Sequence, residues 1–158
     1  TRNAVGHMDY TPVCFGEIPG IVRRTSNAFE LALGIVFQSG IQHIVETPKS
    51  MMKQPAYVVE FMKGLPARWD DVKLIDGFPG EFVVIARKAG NRWYIAGLNA
   101  QPEDKNLKLD LSPFNPPQSV EVITDGENNR SFEKKPVDLE GQLLNIRIAP
   151  NGGFVLVI

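Results

Sequence analysis

Few side chains in this 158-residue sequence have the types and spacing that catalysis requires. The single cysteine, Cys14, could form a nucleophilic pair with either His7 or His43. Its neighbours Val13 and Phe15 are apolar, however, and an apolar setting disfavours the reactive thiolate, so we interpret Cys14 as an inert thiol. One cysteine also excludes an internal disulfide and a multi-thiolate metal site, and two histidines give little support to a zinc site.

A second candidate is the group of carboxylates that follows Trp69, namely Asp70, Asp71 and Asp76. Paired carboxylates beside an indole ring are typical of sugar-processing sites. Adjacent residues on a strand point to opposite faces, however, so Asp70 and Asp71 cannot serve one site. We therefore interpret these residues as turn and strand-edge residues.

Aromatic residues offer a third possibility, a platform on which a sugar ring could stack. Trp69, Trp93 and Tyr94 are the candidates for such a carbohydrate-binding surface. They lie in or beside alternating segments, where packing in a core is the interpretation that we favour.

The segment at the start of the chain is the candidate that we retain. Ala4 to Met8 reads as a buried strand that ends in the polar residues Asp9 and Tyr10 and is stopped by Pro12. In barrels and open α/β sheets the chemistry lies at the carboxyl ends of the strands, so we predict that Asp9 and Tyr10 lie at a substrate rim. A rim aspartate can equally bind loop amides. Since one strand cannot form a sheet, we expect either that the chain begins within a larger fold or that its start docks on another element.

Two helices are predicted after this strand. Ser26 or Asn27 can cap a helix that runs to Ser39 and Gly40. This helix has apolar residues on two sides, which predicts that it lies between two layers. A second helix is predicted from Pro55 to Lys63.

From Arg68 the apolar period changes from 3.6 to 2, which is typical of β-strands. Seven short strands with turn signals between them predict an antiparallel sandwich of two sheets without helices. We therefore divide the chain into residues 1–66 and a β-domain of residues 67–158. The predicted strands are 72–75, 81–88, 92–98, 107–111, 119–124, 142–148 and 153–158.

Composition limits the classes of partner. The sequence is 43% hydrophobic and 22% charged, with a net charge of −1. A nearly neutral chain has no electrostatic footprint for nucleic acid or for an anionic membrane, and no apolar run is long enough to span one. We therefore expect neither partner.

The order of several motifs resembles the carboxyl-terminal part of glycoside hydrolase family 97, a family of α-glucosidases and α-galactosidases found largely in gut Bacteroidetes. The motifs that carry this resemblance are residues 6–12, 30–33, 36–43, 69–71, 76–81, 84–87 and 93–99. The resemblance implies an amino-terminal β-sandwich, a central (β/α)8 barrel and a small carboxyl-terminal β-sandwich. Residues 1–66 would then be the last strand and helices of the barrel, and residues 67–158 the terminal sandwich, so that the chain is an α+β fragment. The family pattern usually has proline at the position of His7.

The same resemblance implies hydrolysis of α-glycosidic bonds, with inversion or retention, by carboxylates and a calcium ion held by glutamates. All of these residues are expected upstream of Thr1, so no catalytic residue, metal ligand or cofactor is expected in this chain. Hydrolysis needs two carboxyl groups, and this chain offers one rim carboxylate, Asp9, with Glu17 on the loop that follows. The α-linked oligosaccharide would bind through the barrel, and the resemblance implies an enzyme that is periplasmic or otherwise exported.

Three hypotheses follow. The first is that the chain is the non-catalytic end of an α-glycosidase, inactive alone. The second is an interface module that braces the barrel or joins subunits through its exposed barrel-facing surface. The third, the alternative from a different class, is a stand-alone carbohydrate-binding β-sandwich.

Overall fold

A computed structural model describes residue 4 and residues 6–11, 13–17 and 19–158. In this part of the chain eight strands form two sheets, and every strand pair is antiparallel. The strands are β1 (Asp71–Phe78), β2 (Phe82–Ala89), β3 (Arg92–Asn99), β4 (Lys105–Asp110), β5 (Ser119–Asp125), β6 (Phe132–Asp138), β7 (Leu143–Ile148) and β8 (Gly153–Val157).

The larger sheet has six strands in the order β1-β2-β3-β8-β5-β6, and β4 pairs with β7 in a second sheet of two strands. β8 lies in the interior of the larger sheet, between β3 and β5. The two outermost strands of that sheet are β1 and β6. The antiparallel β-sheet arrangement predicted for residues 67–158 is therefore confirmed.

From residue 19 onward, where every residue is described, the helices are α1 (Asn27–Val36), α2 (Pro48–Met51) and α3 (Ala56–Lys63), with a 3₁₀ helix at Ser112–Phe114. α1 packs on one face of the six-stranded sheet, mainly over β3 and β8. Leu31 and Ile35 of α1 belong to the same core as Ala96 and Val155 of the sheet. The opposite face of the sheet carries a second core that it shares with the small sheet.

Alternation along the strands produces these two cores, because successive side chains point to opposite faces. On β8, Val155 lies in the helix-facing core, whereas Phe154 and Leu156 lie in the other core. On β3, Ala96 lies in the helix-facing core and Ile95 lies in the other core. The six-stranded sheet is thus buried on both faces near its centre.

The sequence did not predict β6 or the 3₁₀ helix. β6 reads Phe-Glu-Lys-Lys-Pro-Val-Asp, in which two adjacent lysines and Pro136 interrupt the alternation that identifies a strand. Proline is tolerated there because β6 is an edge strand, where one side of the backbone needs no partner. The 3₁₀ helix corrects the prediction of a β-domain without helices.

The predicted strand at residues 4–8 is wrong for the residues that the structure describes. Ala4 is helical, Gly6 lies in a bend, and His7 to Asp9 have no regular structure, while Val5 and Pro12 lie outside the described residues. A strand is stabilised by hydrogen bonds to a neighbouring strand. The pairing observed here is a single parallel bridge between Tyr10 and Gln42.

The first helix is shorter than predicted, since it ends at Val36 rather than near Gly40. Phe37 is already extended, although its amide still donates to the Leu33 carbonyl oxygen at 3.0 Å. α3 begins one residue late, with Pro55 at the capping position. α2 was not predicted; Thr47 caps it by accepting a hydrogen bond from Ser50 at 3.1 Å.

Candidate functional site

The amino-terminal turn of α1 is bound by loops of the sheet. The Ser26 hydroxyl accepts a hydrogen bond from the Phe29 amide at 3.1 Å, and the Ser26 amide donates to the Asn151 carbonyl at 2.9 Å. The Ala28 amide donates to the Asp125 carboxylate at 3.0 Å. First-turn amides of a helix have no intrahelical partner, and here a cap and a carboxylate on β5 satisfy them.

The turn between β5 and β6 makes further contacts to the same helix end. The Asn27 amide donates to the Asn129 carbonyl at 2.9 Å, and its side-chain amide donates to the Arg130 carbonyl at 2.9 Å. In return the Arg130 guanidinium donates to the carbonyls of Thr25 and Arg23, at 2.9 and 2.8 Å. The approach to α1 is therefore fixed by residues about one hundred positions later in the chain.

The pKa of Asp125 is subject to two opposing effects at this helix end. Burial raises the pKa of the Asp125 carboxyl, while hydrogen bonds from Ser26, Ala28 and Gly153 act in the opposite direction. A carboxylate at a helix amino terminus also interacts favourably with the helix dipole. Asp125 thus serves as an anchor for the helix rather than as an exposed acid.

The carboxyl-terminal end of α1 is bound by Arg87 of β2, whose side chain is only 1% exposed. Its Nε donates to the Ile35 carbonyl at 2.6 Å, and its Nη2 donates to the carbonyls of Ala4 and Val36 at 2.8 and 3.1 Å. A cation at this end complements the helix dipole and satisfies carbonyls that have no intrahelical partner. These bonds also provide a physical reason for the helix to end at Val36.

In its amino-terminal turn, α1 also approaches the sheet closely at Gly153. A Cβ atom added to Gly153 would lie 2.8 Å from the Ala28 carbonyl oxygen and 2.9 Å from the Phe29 Cα. Only glycine fits this approach without a shift of the helix. We call the contacts of α1 with Arg87, Asp125, Arg130, Asn151 and Gly153 the helix clamp.

A groove lies beside α1, on the same face of the sheet. Its volume is about 500 Å³, and its walls are mainly apolar. Phe29 and Phe37 line it on one side, and Leu74 and Phe78 of β1 line it on the other. Ala4 also contributes to its lining. The groove is therefore a place where a further apolar element could pack against the helix and the sheet.

The predicted rim residues lie at the start of the chain, and neither lines this groove. Asp9 is exposed. Tyr10 packs edge-on against Phe37, with ring centroids 4.9 Å apart, and burial followed by the charge of Glu30 raises the pKa of Tyr10 to about 12. Tyr10 is thus held by packing, whereas Asp9 is free to face solvent.

Cys14 does not have the setting of a nucleophile. Its thiol lies 3.5 Å from the Gly16 carbonyl oxygen, to which it donates. Burial, and then the charge of Glu46, raises the pKa of this thiol, which disfavours the thiolate. This agrees with the interpretation of Cys14 as inert.

The three candidate aromatic residues do not form one platform. Trp69 packs edge-on against Tyr94 with centroids 5.3 Å apart, and Trp93 packs against Phe114 at 5.0 Å on the other side of the sheet. Trp93 and Tyr94 are neighbours on β3 and so point in opposite directions. This separation counts against the hypothesis of a carbohydrate-binding sandwich.

Within the described part of the chain, no group of three or more His, Cys, Asp or Glu side chains could hold a metal ion. None of the helices there has the length and apolar character needed to cross a membrane.

Comparison with known protein families shows to which family this chain belongs. Residues 68–158 match the family described as "Glycosyl-hydrolase 97 C-terminal, oligomerisation". The chain belongs to this family. The resemblance to glycoside hydrolase family 97 is thereby confirmed, and the matched residues are those that form β1 to β8.

Two curated relatives are similar over 99% of the chain. A probable retaining alpha-galactosidase of Streptomyces bingchenggensis is 34% identical over 160 residues, and a retaining alpha-galactosidase of Bacteroides thetaiotaomicron is 28% identical over 176 residues. The chain spans only 24% and 26% of the length of these two proteins. It is therefore comparable to about a quarter of each relative.

Solved structures show the same relationship. A beta-arabinopyranosidase is 33% identical, with a TM-score of 0.80 over 88% of this chain and 22% of its own. A glycoside hydrolase family 97 enzyme from Pseudoalteromonas sp. strain K8, solved with panose, is 26% identical. Its TM-score is 0.81 over 96% of this chain and 26% of its own.

The residues of the helix clamp were missed by sequence reasoning. Arg87 shares one face of β2 with Ile85, which is buried against α1, so period-2 alternation could have placed Arg87 in the interior. Asp125 is the last residue of β5 and Arg130 lies in the turn that follows, and no local pattern connects them with a helix about one hundred residues earlier.

Proposed function

We propose that this chain is the carboxyl-terminal part of an enzyme that hydrolyses α-glycosidic bonds, with an α-galactoside or an α-glucoside as its substrate. The family of residues 68–158 and the names of the curated relatives support this proposal. A structure of a family 97 enzyme with panose, and another with acarbose, support an oligosaccharide as the ligand of the parent enzyme.

The chain itself supplies no catalytic pair in this proposal. Hydrolysis requires two carboxyl groups about 5–10 Å apart around the scissile bond. In the described residues the buried carboxylate of Asp125 is occupied with helix amides, Asp9 is exposed, and the Glu17 carboxylate lies 3.5 Å from the Arg130 guanidinium. The catalytic carboxylates, and the calcium ion implied by the family resemblance, are therefore assigned to the remainder of the parent.

The role that we assign to this chain is structural. The helix clamp carries this assignment, because it fixes both ends of α1 to the β-sheet through buried hydrogen bonds. If residues 1–66 are the end of a (β/α)8 barrel, the β-domain of residues 67–158 braces that barrel through α1. We further propose that the exposed surface beside α1 also joins subunits, which the family description supports.

In this proposal Asp9 and Tyr10 lie at the substrate rim of the parent enzyme. Asp9 is exposed, and Tyr10 beside it is fixed against Phe37, which would hold the segment in place. Export from the cytoplasm is supported by the family resemblance alone and stays a prediction.

Activity assays test the proposal. We expect the 158-residue chain to release no p-nitrophenol from p-nitrophenyl α-galactoside or α-glucoside, and the parent enzyme to hydrolyse one of them. In the parent, Asp9→Asn should alter KM more than kcat if Asp9 touches substrate at the rim. Turnover by the isolated chain at the rate of the parent would refute the assignment of catalysis to the missing part.

A further inference from the structure

Residues 38–46 run alongside the start of the chain. We call residues 8–16 the rim segment, of which Pro12 lies outside the described residues, and we call residues 38–46 the brace. The contacts between them occur in the same order along both: Met8 to Gln38, Tyr10 to Gln42, and Phe15 and Gly16 to Glu46. The two segments are therefore parallel, and Glu46 makes the last of these contacts.

The brace is fixed to the β-domain through α1. It begins just after Val36, the last residue of the helix, whose carbonyl accepts a hydrogen bond from Arg87 at 3.1 Å. The side-chain amide of Gln42 then donates to the Gly34 carbonyl at 2.7 Å. The helix clamp therefore also opposes movement of the brace.

The Glu46 carboxylate is occupied with backbone amides. Its Oε2 accepts hydrogen bonds from the Phe15 amide at 2.7 Å and from the Gly16 amide at 2.9 Å. Its Oε1 accepts a hydrogen bond from the Thr47 amide at 2.9 Å. Hydrogen bonds to an ionised acceptor are stronger than those between neutral groups. Glu46 thus holds the backbone of residues that lie 31 and 30 positions earlier in the sequence.

Phe15 is also held by the β-domain and by the loop before α1. It is only 4% exposed, and its ring packs edge-on against Phe132 of β6 with centroids 5.1 Å apart. Its carbonyl accepts a hydrogen bond from Arg23 Nη2 at 3.4 Å. The backbone and the side chain of Phe15 are therefore both fixed.

Val13 has a backbone conformation that these contacts have to maintain. Its φ is +68°, in the left-handed region that β-branched residues rarely adopt, and the residue is 2% exposed. Such a conformation persists only where surrounding contacts determine it, and it is concentrated at functional sites. Without the bonds from Phe15 and Gly16 to Glu46, we expect this part of the rim segment to relax to another conformation.

We propose that Glu46 is a positioning residue for substrate binding in the parent enzyme. By holding the amides of Phe15 and Gly16, it sets the conformation of the rim segment that meets the oligosaccharide. Glu46 acts through these residues and does not itself touch the substrate. This inference rests on the proposed function, in which the start of the chain lies at the substrate rim.

The groups that Glu46 would position are exposed and polar. They lie on the rim segment or directly after it, and they are Asp9, Thr11 and Glu17. Carboxylates and hydroxyls are hydrogen-bonding partners for the hydroxyl groups of a sugar. The effect of Glu46 on the substrate should therefore appear as a change in affinity.

Steady-state kinetics of the parent enzyme test this role, with the p-nitrophenyl α-glycoside that it hydrolyses. Glu46→Met has a similar length but no acceptor oxygen, so the Phe15 and Gly16 amides lose their partner. We expect KM to rise about tenfold, which corresponds to one lost hydrogen bond to substrate, and kcat to change by less than about twofold. Glu46→Gln keeps an acceptor oxygen without the charge, so its KM should rise by only about two- to threefold.

Glu60→Met is the matched control. Glu60 is an exposed carboxylate on α3, and its partner at 3.0 Å is the exposed Lys63. The same chemical change at this position should leave KM unchanged, because a surface ion pair contributes little.

Hydrogen exchange on the 158-residue chain tests the contact without any activity. In Glu46→Met the amides of Phe15 and Gly16 should exchange at least about tenfold faster than in the wild type, while those of β3 keep their rates. Circular dichroism verifies that each variant is folded, and Glu46→Gln is the milder variant if Glu46→Met is not.

Each outcome supports or overturns the role of Glu46. A Glu46→Met enzyme with the KM of the wild type overturns it, and so do unchanged exchange rates at Phe15 and Gly16. Equal acceleration in β3 also overturns it, because that result shows a general loss of stability. A parent that hydrolyses neither glycoside refutes the proposed function instead, and hydrogen exchange then still decides whether Glu46 holds the rim segment.

Discussion

Replacement of Arg87 by methionine would remove the bond between β2 and the carboxyl-terminal end of α1. Methionine has a similar length and fills most of the space, so the change removes hydrogen bonds more than it removes volume. Three carbonyl groups, those of Ala4, Ile35 and Val36, lose their donor. The guanidinium is buried, and water cannot easily replace it.

The magnitude follows from these lost bonds. A hydrogen bond to a charged group contributes about 1.5–3 kcal/mol, and a buried carbonyl left without a partner costs about 1–3 kcal/mol. The cost of burying the guanidinium charge is relieved in the variant, which offsets part of this loss. We therefore expect the free energy of unfolding to fall by about 3 kcal/mol, out of a total of about 5–15 kcal/mol for an ordinary domain.

Urea denaturation measures this change, with thermal denaturation as a second assay. A loss of this size should lower the Tm by about 6–12 °C for a chain of this length. Arg87→Lys, which keeps the charge but not the fork of donors, should lose about half as much stability. Arg92→Met is the matched control, because Arg92 is exposed on the next strand, and it should change stability by less than about 0.5 kcal/mol.

Two results would refute the reasoning. One is a loss below about 1 kcal/mol for Arg87→Met, which would mean that the helix end needs no cation. The other is an equal loss for Arg92→Met, which would mean that the effect has no connection with burial. Hydrogen exchange gives a further test, because the last amides of α1 should open more readily in Arg87→Met than in the wild type.

Three other changes test the contacts around α1. Ser26→Ala should cost about 1 kcal/mol in thermal denaturation, because the Phe29 amide loses its cap; no loss would argue that another group replaces it. Gly153→Ala should cost about 1–3 kcal/mol because the new Cβ would meet α1, whereas Gly40→Ala, with nothing within 4 Å, should be nearly neutral; equal effects would contradict the close approach. Burial raises the pKa of Tyr10 from 10.0 to about 12. The contribution of this shift to the free energy of unfolding is therefore complete below pH 10 and is lost as the pH rises to 12. Between pH 10 and pH 12 the free energy of unfolding of Tyr10→Phe, measured by urea titration at each pH, should therefore fall less than that of the wild type. Equal falls in the two proteins would disprove the role of Tyr10 in this pH dependence.

The strands of the β-domain could largely be predicted from sequence because they are buried on one or both faces. β2 and β3 carry apolar residues and are joined by a turn at Gly90, whose φ of +58° favours glycine, so pattern and turn chemistry agree. β6 lacked such a signal. Its charged residues and Pro136 are what an edge position selects, and edge position is a property of the assembled sheet.

The start of the chain and the helix clamp could not be predicted for a different reason. Ala4 to Met8 has the composition of a strand, but strand formation depends on neighbours that a local pattern does not specify. Arg87, Asp125 and Arg130 contact α1 across 51, 97 and 103 positions in sequence, in their hydrogen bonds with Val36, Ala28 and Asn27. The candidate rim residues, Asp9 and Tyr10, remain predictions that only the parent enzyme can test.

The position of β8 has a consequence for folding. β8 comes after all the other strands along the chain, yet it lies between β3 and β5 and supplies Gly153 to the contact with α1. A chain shortened before Gly153 would have two separate pieces of its larger sheet, β1-β2-β3 and β5-β6, and a helix that has lost one of the two strands on which it mainly packs. During synthesis α1 can meet β3 early, but β8, the other strand beneath it, is made more than one hundred residues after the helix, so a truncated product should be recognised by proteases as incompletely folded rather than persist as a smaller stable domain.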